Sequence, residues 1–127
     1  MTSSRLATVT AVLALALLPA ASHGATTTVK AVDSSTGWAF SPKSKTVVKG
    51  TTVKWVGQSE TIHQIGFYKK PAGVSMAGFS LSPGDSKKRT FKKKGVYKYR
   101  CTMPSHSTLS EDKKTCVGMC GQIKVTS

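Results

Sequence analysis

Carboxylates are scarce in this sequence. Only five of its 127 residues are Asp or Glu, and none of them is clustered with a histidine. Calcium and magnesium sites are built from oxygen ligands, so this composition argues against either ion. The chain also lacks a glycine-rich phosphate loop, a paired-carboxylate motif, and an acid or amide spaced to orient a histidine beside a cysteine nucleophile. We therefore do not expect an enzyme.

Long apolar runs are scarce as well. The one clear run spans residues 6–18, follows Arg5 and precedes small residues that end near Gly24 and Ala25. This order is typical of a secretory signal peptide, and the run is too short to cross a membrane. We predict a cleaved signal peptide over residues 1–24 and one domain over residues 25–127; a retained N-terminal anchor is the alternative. The domain is expected to be secreted or extracytoplasmic, in a periplasm, a thylakoid lumen or the cell exterior, without membrane insertion.

Positive charge greatly exceeds negative charge. The chain has 19 Lys and Arg residues and a net charge of +14, and loss of Arg5 with the signal peptide lowers that charge by one, to +13. Such a charge steers a protein toward nucleic acid, anionic surfaces or acidic proteins. A secreted chain rarely meets nucleic acid, so we expect no nucleic acid partner. We also expect a monomer. The lysines then form either a docking surface for acidic protein partners or simply a solvated surface.

Helical periodicity is nearly absent after residue 25. Short segments with period-two alternation are separated by turn signals such as Lys49-Gly50 and Pro83-Gly84. The predicted strands are residues 27–32, 38–40, 46–48, 52–57, 62–67, 88–92, 96–100 and 121–125. We expect strands 88–92 and 96–100 to form a hairpin, and residues 69–82 to cross loosely with room for a turn of helix. Seven or eight short strands predict an all-β, antiparallel β-sandwich.

The last third of the chain contains several metal-binding side chains. Alternation places Cys101 on the inner face of a strand, so its thiol points into the core. The loop that follows this strand contains His106 and Met119, and the closing strand has an inward set of its own, Gly121, Ile123 and Val125. An earlier strand places His63 on an apolar face.

Two imidazoles, one thiol and one thioether are the donors that copper prefers. Sulfur ligands suit Cu(I), imidazoles suit Cu(II), and two histidines with a cysteine and a weak axial methionine hold both states. Zinc bound by the three cysteines and His106 is an alternative in ligand type, but it leaves His63 unused and lacks paired C-x-x-C spacing. Each residue also has an ordinary structural interpretation, such as a buried thiol or a packed methionine.

The sequence resembles the small blue copper proteins of the plastocyanin-like cupredoxin family. The match spans about residues 26–125 and depends on residues 40–42, 50–55, 81–84, 95–101 and 118–125, together with His63 and His106. This resemblance implies a Greek-key β-sandwich that holds one mononuclear type 1 copper and transfers electrons between protein partners. The implied ligands are His63, Cys101, His106 and Met119, and the implied electron port is the His106 imidazole.

The loop from Cys101 to Met119 is longer than in compact members of the family. In compact members the second histidine follows the cysteine after two residues, whereas His106 follows Cys101 after four, and Met119 lies thirteen positions later. The cost of loop closure grows only with the logarithm of length, so such a loop is tolerated.

A pair of cysteines, Cys116 and Cys120, brackets Met119 and also departs from the pattern. In an oxidising compartment we expect them to form a disulfide, which would brace Met119 as the axial ligand. If they stay reduced, the added thiols favour a copper store or chaperone over an electron carrier. A secreted interaction module without metal is the third hypothesis.

Overall fold

The computed structural model describes residues 25–127, and the predicted signal peptide over residues 1–24 lies outside these described residues. Residues 25–127 form eleven strands. Within these residues no helix has the length and the apolar character needed to cross a membrane. The strands are β1 (Thr26–Ser34), β2 (Gly37–Ser41), β3 (Ser44–Val48), β4 (Thr51–Gly57), β5 (His63–Lys69), β6 (Phe79–Leu81), β7 (Ser86–Phe91), β8 (Gly95–Cys101), β9 (Ser107–Leu109), β10 (Cys116–Gly118) and β11 (Cys120–Thr126).

Two sheets form the body of the domain. One has the strand order β2-β1-β4-β7, the other has the order β3-β11-β8-β5-β6, and β9 pairs with β10 in a small separate ribbon. The predicted all-β sandwich is confirmed. The sheets are mixed, however, because β1 pairs with β4 and β3 pairs with β11 in parallel. Parallel neighbours need a crossover connection, and here the chain passes to the other sheet before it returns.

The predicted hairpin between residues 88–92 and 96–100 is wrong. Strand β7 pairs with β4 in the smaller sheet, whereas β8 pairs with β11 and β5 in the larger one. Phe91 and Tyr97 are both buried and meet edge to face, with ring centroids 4.8 Å apart. The turn between the two strands therefore links the two sheets, and Phe91 of β7 packs against Tyr97 of β8 across the core.

Residues 69–82 contain a strand instead of a turn of helix. Phe79–Leu81 forms β6, which pairs antiparallel with the first residues of β5. Leu81 is directly opposite His63 in this register and is fully buried. Burial of this leucine side chain contributes about 1.5–3 kcal/mol to holding the short edge strand against the sheet.

The core lies between the facing sheets. Val53 and Trp55 share the inner face of β4, as predicted, and both are fully buried. The Trp55 ring lies 5.4 Å from that of Tyr99 in the opposite sheet and 5.2 Å from that of Phe79. These edge-to-face and tilted contacts join the sheets near the end at which β5 begins and β8 ends.

Candidate metal centre

Two of the predicted ligands are placed by neighbouring strands. His63 is the first residue of β5 and Cys101 is the last residue of β8, and these strands pair antiparallel with Ile65 opposite Cys101. Both side chains are therefore on the inner face at the same end of the sandwich, and both are fully buried. The Cys101 Sγ lies 3.7 Å from His63 Nδ1.

His106 reaches the same place from the loop after β8. Its backbone N–H donates to the Met103 carbonyl at 3.2 Å, which closes a tight turn. Its Nδ1 lies 3.2 Å from Cys101 Sγ and 3.2 Å from His63 Nδ1. The side chain keeps 7% of its surface exposed, whereas His63 and Cys101 have none. The structure thus brings these three predicted residues together and leaves only His106 in reach of the surface.

Met119 lies beside this trio. It connects β10 to β11, and its side chain is fully buried. Its N–H donates to the His106 carbonyl at 2.8 Å, and its own carbonyl accepts from the Cys101 N–H at 3.0 Å. The preceding Gly118 has a φ of +96°, and a Cβ there would lie 2.5 Å from the His106 oxygen. A glycine is needed because the two parts of the loop approach so closely.

Cys116 and Cys120 form a disulfide, as expected in an oxidising compartment. Their Cα atoms are 6.2 Å apart, and Cys101 is left as the free cysteine of residues 25–127. Because the bridge consumes both thiols, the zinc alternative that required them is wrong. The copper store built on the same thiols also loses its extra donors.

The donor atoms fit a single ion. For these ligand types, metal–nitrogen and metal–sulfur bonds are about 2.0 and 2.3 Å long. One ion can therefore bridge nitrogens up to about 4 Å apart, and a nitrogen and a sulfur slightly farther apart. The observed separations of 3.2, 3.2 and 3.7 Å fall inside these limits. One sulfur and two imidazole nitrogens suit copper, and no carboxylate joins the cluster within residues 25–127.

The surroundings of His63 favour its neutral imidazole, which is the form that binds a metal. Burial lowers the pKa of His63, and the positive form of nearby His106 lowers it further, while Asp33 opposes the change. The ring is thus neutral at pH 7, and its Nδ1 can offer a lone pair to a metal. Its Nε2 is buried and has no hydrogen-bond partner among the described residues.

Three contacts of this site were not anticipated from the sequence. The Trp38 ring stacks on His106, with centroids 3.8 Å apart and planes inclined by 23°. The Ser107 hydroxyl donates to the Cys101 carbonyl, and Arg100 Nη1 donates to that hydroxyl at 3.1 Å. A signal for Trp38 was present, because alternation places it on the same face of β2 as the buried Phe40.

Two histidines and a cysteine around one point, with a buried methionine beside them on a β-sandwich, define a type 1 copper protein. A family model described as copper binding proteins, plastocyanin/azurin family, matches residues 26–126. The chain belongs to this family, which confirms the resemblance, and its cofactor is copper.

Solved structures share the fold. Pseudoazurin from Hyphomicrobium denitrificans is 22% identical over 81% of this chain and 77% of its own, with a TM-score of 0.59. A mutant fern plastocyanin is 28% identical over 79% of this chain and 100% of its own, with a TM-score of 0.55. A copper-containing nitrite reductase from Thermus scotoductus is 24% identical over 79% of this chain but only 22% of its own, with a TM-score of 0.56.

Proposed function

We propose that this protein is a type 1 copper electron carrier, which accepts one electron from one protein partner and passes it to another. The observation that carries the proposal is the convergence of His63 Nδ1, His106 Nδ1 and Cys101 Sγ within 3.7 Å of one another in an almost fully buried site. We assign these three residues as ligands that would hold the copper. We assign Met119 as the residue that would supply the fourth, weaker ligand, because it is buried and its backbone is hydrogen-bonded to both Cys101 and His106.

When bound, copper supplies one-electron chemistry by alternating between Cu(II) and Cu(I). Cys101 would contribute a soft sulfur that suits Cu(I), and the imidazoles of His63 and His106 would suit Cu(II). Paired strands hold His63 and Cys101 in one arrangement for both states, so little rearrangement accompanies each transfer. Burial of the ligands excludes water, and His106 provides the route to the surface.

A carrier suits this site better than an enzyme. Catalytic metal sites keep an open position for water or substrate. Here His63, Cys101 and Met119 are fully buried, and only a small part of His106 is exposed. The likeness to nitrite reductase covers 22% of that chain, which is too small a share to support the same activity here.

The basic surface supports an acidic protein partner. Two adjoining hollows of about 360 and 320 Å³ on the outer face of the larger sheet share Tyr68, Lys98 and Lys114. We call them the lysine groove, because five lysines line it: Lys43, Lys69, Lys98, Lys113 and Lys114. Its one carboxylate, Asp112, already accepts hydrogen bonds from Ser110 and from the Lys114 backbone. The groove therefore presents nearly unopposed positive charge, which complements an acidic docking surface.

Charge reversal tests this docking surface. Replacement of Lys98 and Lys114 by glutamate should weaken binding of a poly-glutamate peptide and reduce the salt dependence of that binding. The matched control replaces Lys54 and Lys88, which lie opposite each other on the smaller sheet. Equal weakening by both pairs would show that only net charge matters and would reject the groove as the docking site.

A Cu(I) titration under mildly reducing conditions that leave the disulfide intact separates a carrier from a store. We expect one tightly held Cu(I) per chain, because Cys116 and Cys120 are bonded to each other. We also expect the loaded protein to be reduced and reoxidised repeatedly without loss of metal. Binding of two or more Cu(I) ions would favour the store instead. We further propose that the protein works as a monomer. We also propose an extracytoplasmic location, which the disulfide and the N-terminal sequence pattern support.

A further inference from the structure

Trp38 covers the ligand that approaches the surface. It lies in β2 of the smaller sheet, at the metal end of the sandwich, and its ring is stacked on His106 with a centroid separation of 3.8 Å. The same ring meets His63 edge to face at 6.2 Å. Among the ring contacts of residues 25–127, Trp38 is the one aromatic ring other than the ligands themselves that touches either histidine.

This stack changes which atoms a partner can reach. His106 keeps only 7% of its surface exposed, because one face of its ring lies under the indole. Trp38 itself is only partly buried. A molecule that approaches this end of the sandwich therefore meets the indole at least as readily as the imidazole.

Exposed apolar residues occur near the same end. Ile62, which precedes the ligand His63, is 50% exposed, and Val117 is 66% exposed on β10, a strand that contacts β2. Burial of apolar side chains favours association, so Ile62 and Val117 would add to a contact made through Trp38. The chemistry of this region fits a flat, apolar or aromatic surface on a partner, whose redox centre could then come close to the Trp38 ring.

We propose that Trp38 is the outermost group of the electron-exchange route, and that a partner exchanges electrons with the copper through the stacked Trp38 and His106 rings. The inference rests on the proposed carrier function. One electron leaves the partner's donor, which is oxidised, and reduces Cu(II) to Cu(I). No bond forms or breaks and no proton moves. Trp38 serves as a bridge and is not itself oxidised.

The kinetic test uses bis(dipicolinato)cobaltate(III), an anionic aromatic complex that takes one electron from the reduced protein. Trp38→Leu should slow this reaction about tenfold at matched driving force, which equals about 1.4 kcal/mol of barrier. Trp38→Phe keeps a stacked ring and should slow it less. The control is Val48→Ala, because Val48 is 54% exposed and lies at the opposite end, where β3 and β11 finish. It should leave the rate unchanged.

A binding test does not depend on turnover. The redox-inert, paramagnetic bis(dipicolinato)chromate(III) should broaden the indole N–H resonance of Trp38 in the Cu(I) protein. Trp55 is fully buried and serves as an internal control that stays sharp. Broadening confined to the lysine groove, with Trp38 unaffected, would overturn the proposal.

The outcomes separate this inference from the carrier function. If the wild-type protein fails to form a blue centre, the carrier function fails before Trp38 is tested. If the centre forms and Trp38→Leu lowers the melting temperature while the matched rate stays the same, Trp38 only packs against His106. That result would reject the proposed route and leave the carrier function standing.

Discussion

The four proposed ligands divide into two that strands hold and two that a loop holds. His63 begins β5 and Cys101 ends β8, and the pairing of these strands fixes both positions. His106 and Met119 lie in the segment between β8 and β11, outside the strands of the main sheets. The loop is held by the β9–β10 ribbon, by the disulfide and by the backbone hydrogen bond from Met119 to His106, and one further bond ties Met119 to Cys101 at the end of β8. A long loop can thus carry ligands when it contains enough local structure to hold them.

Gly118→Ala should have the largest effect, because it disturbs the loop that holds His106 and Met119. A side chain at this position has an unfavourable φ of +96° and brings a Cβ within 2.5 Å of the His106 oxygen. We expect a loss of about 3 kcal/mol in the free energy of unfolding, measured by chemical denaturation, together with weaker copper binding.

Gly84→Ala is the matched control for this change. Gly84 also has a positive φ, of +78°, but an added Cβ would meet nothing within 4 Å. The Gly84→Ala variant should therefore have only the cost of a side chain at positive φ, which lowers its free energy of unfolding by about 1 kcal/mol. Equal losses at the two glycines would contradict the view that tight packing of the loop positions His106.

Removal of the disulfide should have the next largest effect. Replacing both Cys116 and Cys120 by serine frees a short loop, and the expected loss is about 2 kcal/mol of unfolding free energy. The blue colour should remain, because the bridge is not needed to hold His63 and Cys101. The reduction potential should rise toward that of a Met119 variant. Complete loss of colour would show that the bridge also holds His106.

Met119→Leu should spare the colour and raise the potential. A weak axial donor stabilises Cu(II) more than Cu(I), and a tenfold relative loss of Cu(II) affinity corresponds to about 59 mV. Voltammetry measures the shift, and Met103→Leu is the control, because Met103 lies in the same loop but is only partly buried. If Met119→Leu lost copper altogether, the assignment of Met119 as a weakly bonded ligand would be wrong.

The smallest effect should come from His63, one of the two ligands that strands hold, as a dependence of the unfolding free energy on pH. Burial lowers the pKa of His63 below the usual 6.5, so the unfolded chain takes up a proton first as the pH falls. The copper-free protein should therefore lose stability from about pH 6.5 downward, by at most about 1.4 kcal/mol per pH unit, until folded His63 also protonates.

Asp33→Asn tests whether this decline comes from histidine. The Ser59 hydroxyl lowers the pKa of Asp33 below 3.8, so the stability that Asp33 adds is lost only in more acidic solution. The variant should keep the decline that begins near pH 6.5. A flat stability between pH 7 and 5 in the native copper-free sequence would contradict the burial of a neutral His63.

The strand ligands were predictable because period-two alternation is a local signal. It placed Cys101 on an inner face and His63 among apolar neighbours, and both positions follow from strand pairing. The short strands β6, β9 and β10 were not predicted, because three residues carry too little alternation. The pairing of β7 and β8 was also misjudged, since nearness in the sequence does not say in which sheet a strand lies.

For the two ligands in the loop, the sequence predicted which residues they are but not the structure that holds them. The family pattern pointed to His106 and Met119, and two leftover cysteines pointed to a disulfide. The stacking of Trp38 on His106 joins residues 68 positions apart in sequence, and only the packing of the two sheets brings them together. Contacts of this kind depend on tertiary structure, so no local sequence pattern specifies them.

The visible spectrum of the oxidised, copper-loaded protein tests the central claim most directly. If His63, Cys101 and His106 surround one copper ion, the thiolate of Cys101 bound to Cu(II) must give a strong blue absorption. Cys101→Ser should abolish it, because a hydroxyl is a harder and less acidic donor. A colourless Cu(II) complex of the native sequence, or a blue band that survives Cys101→Ser, would contradict the account.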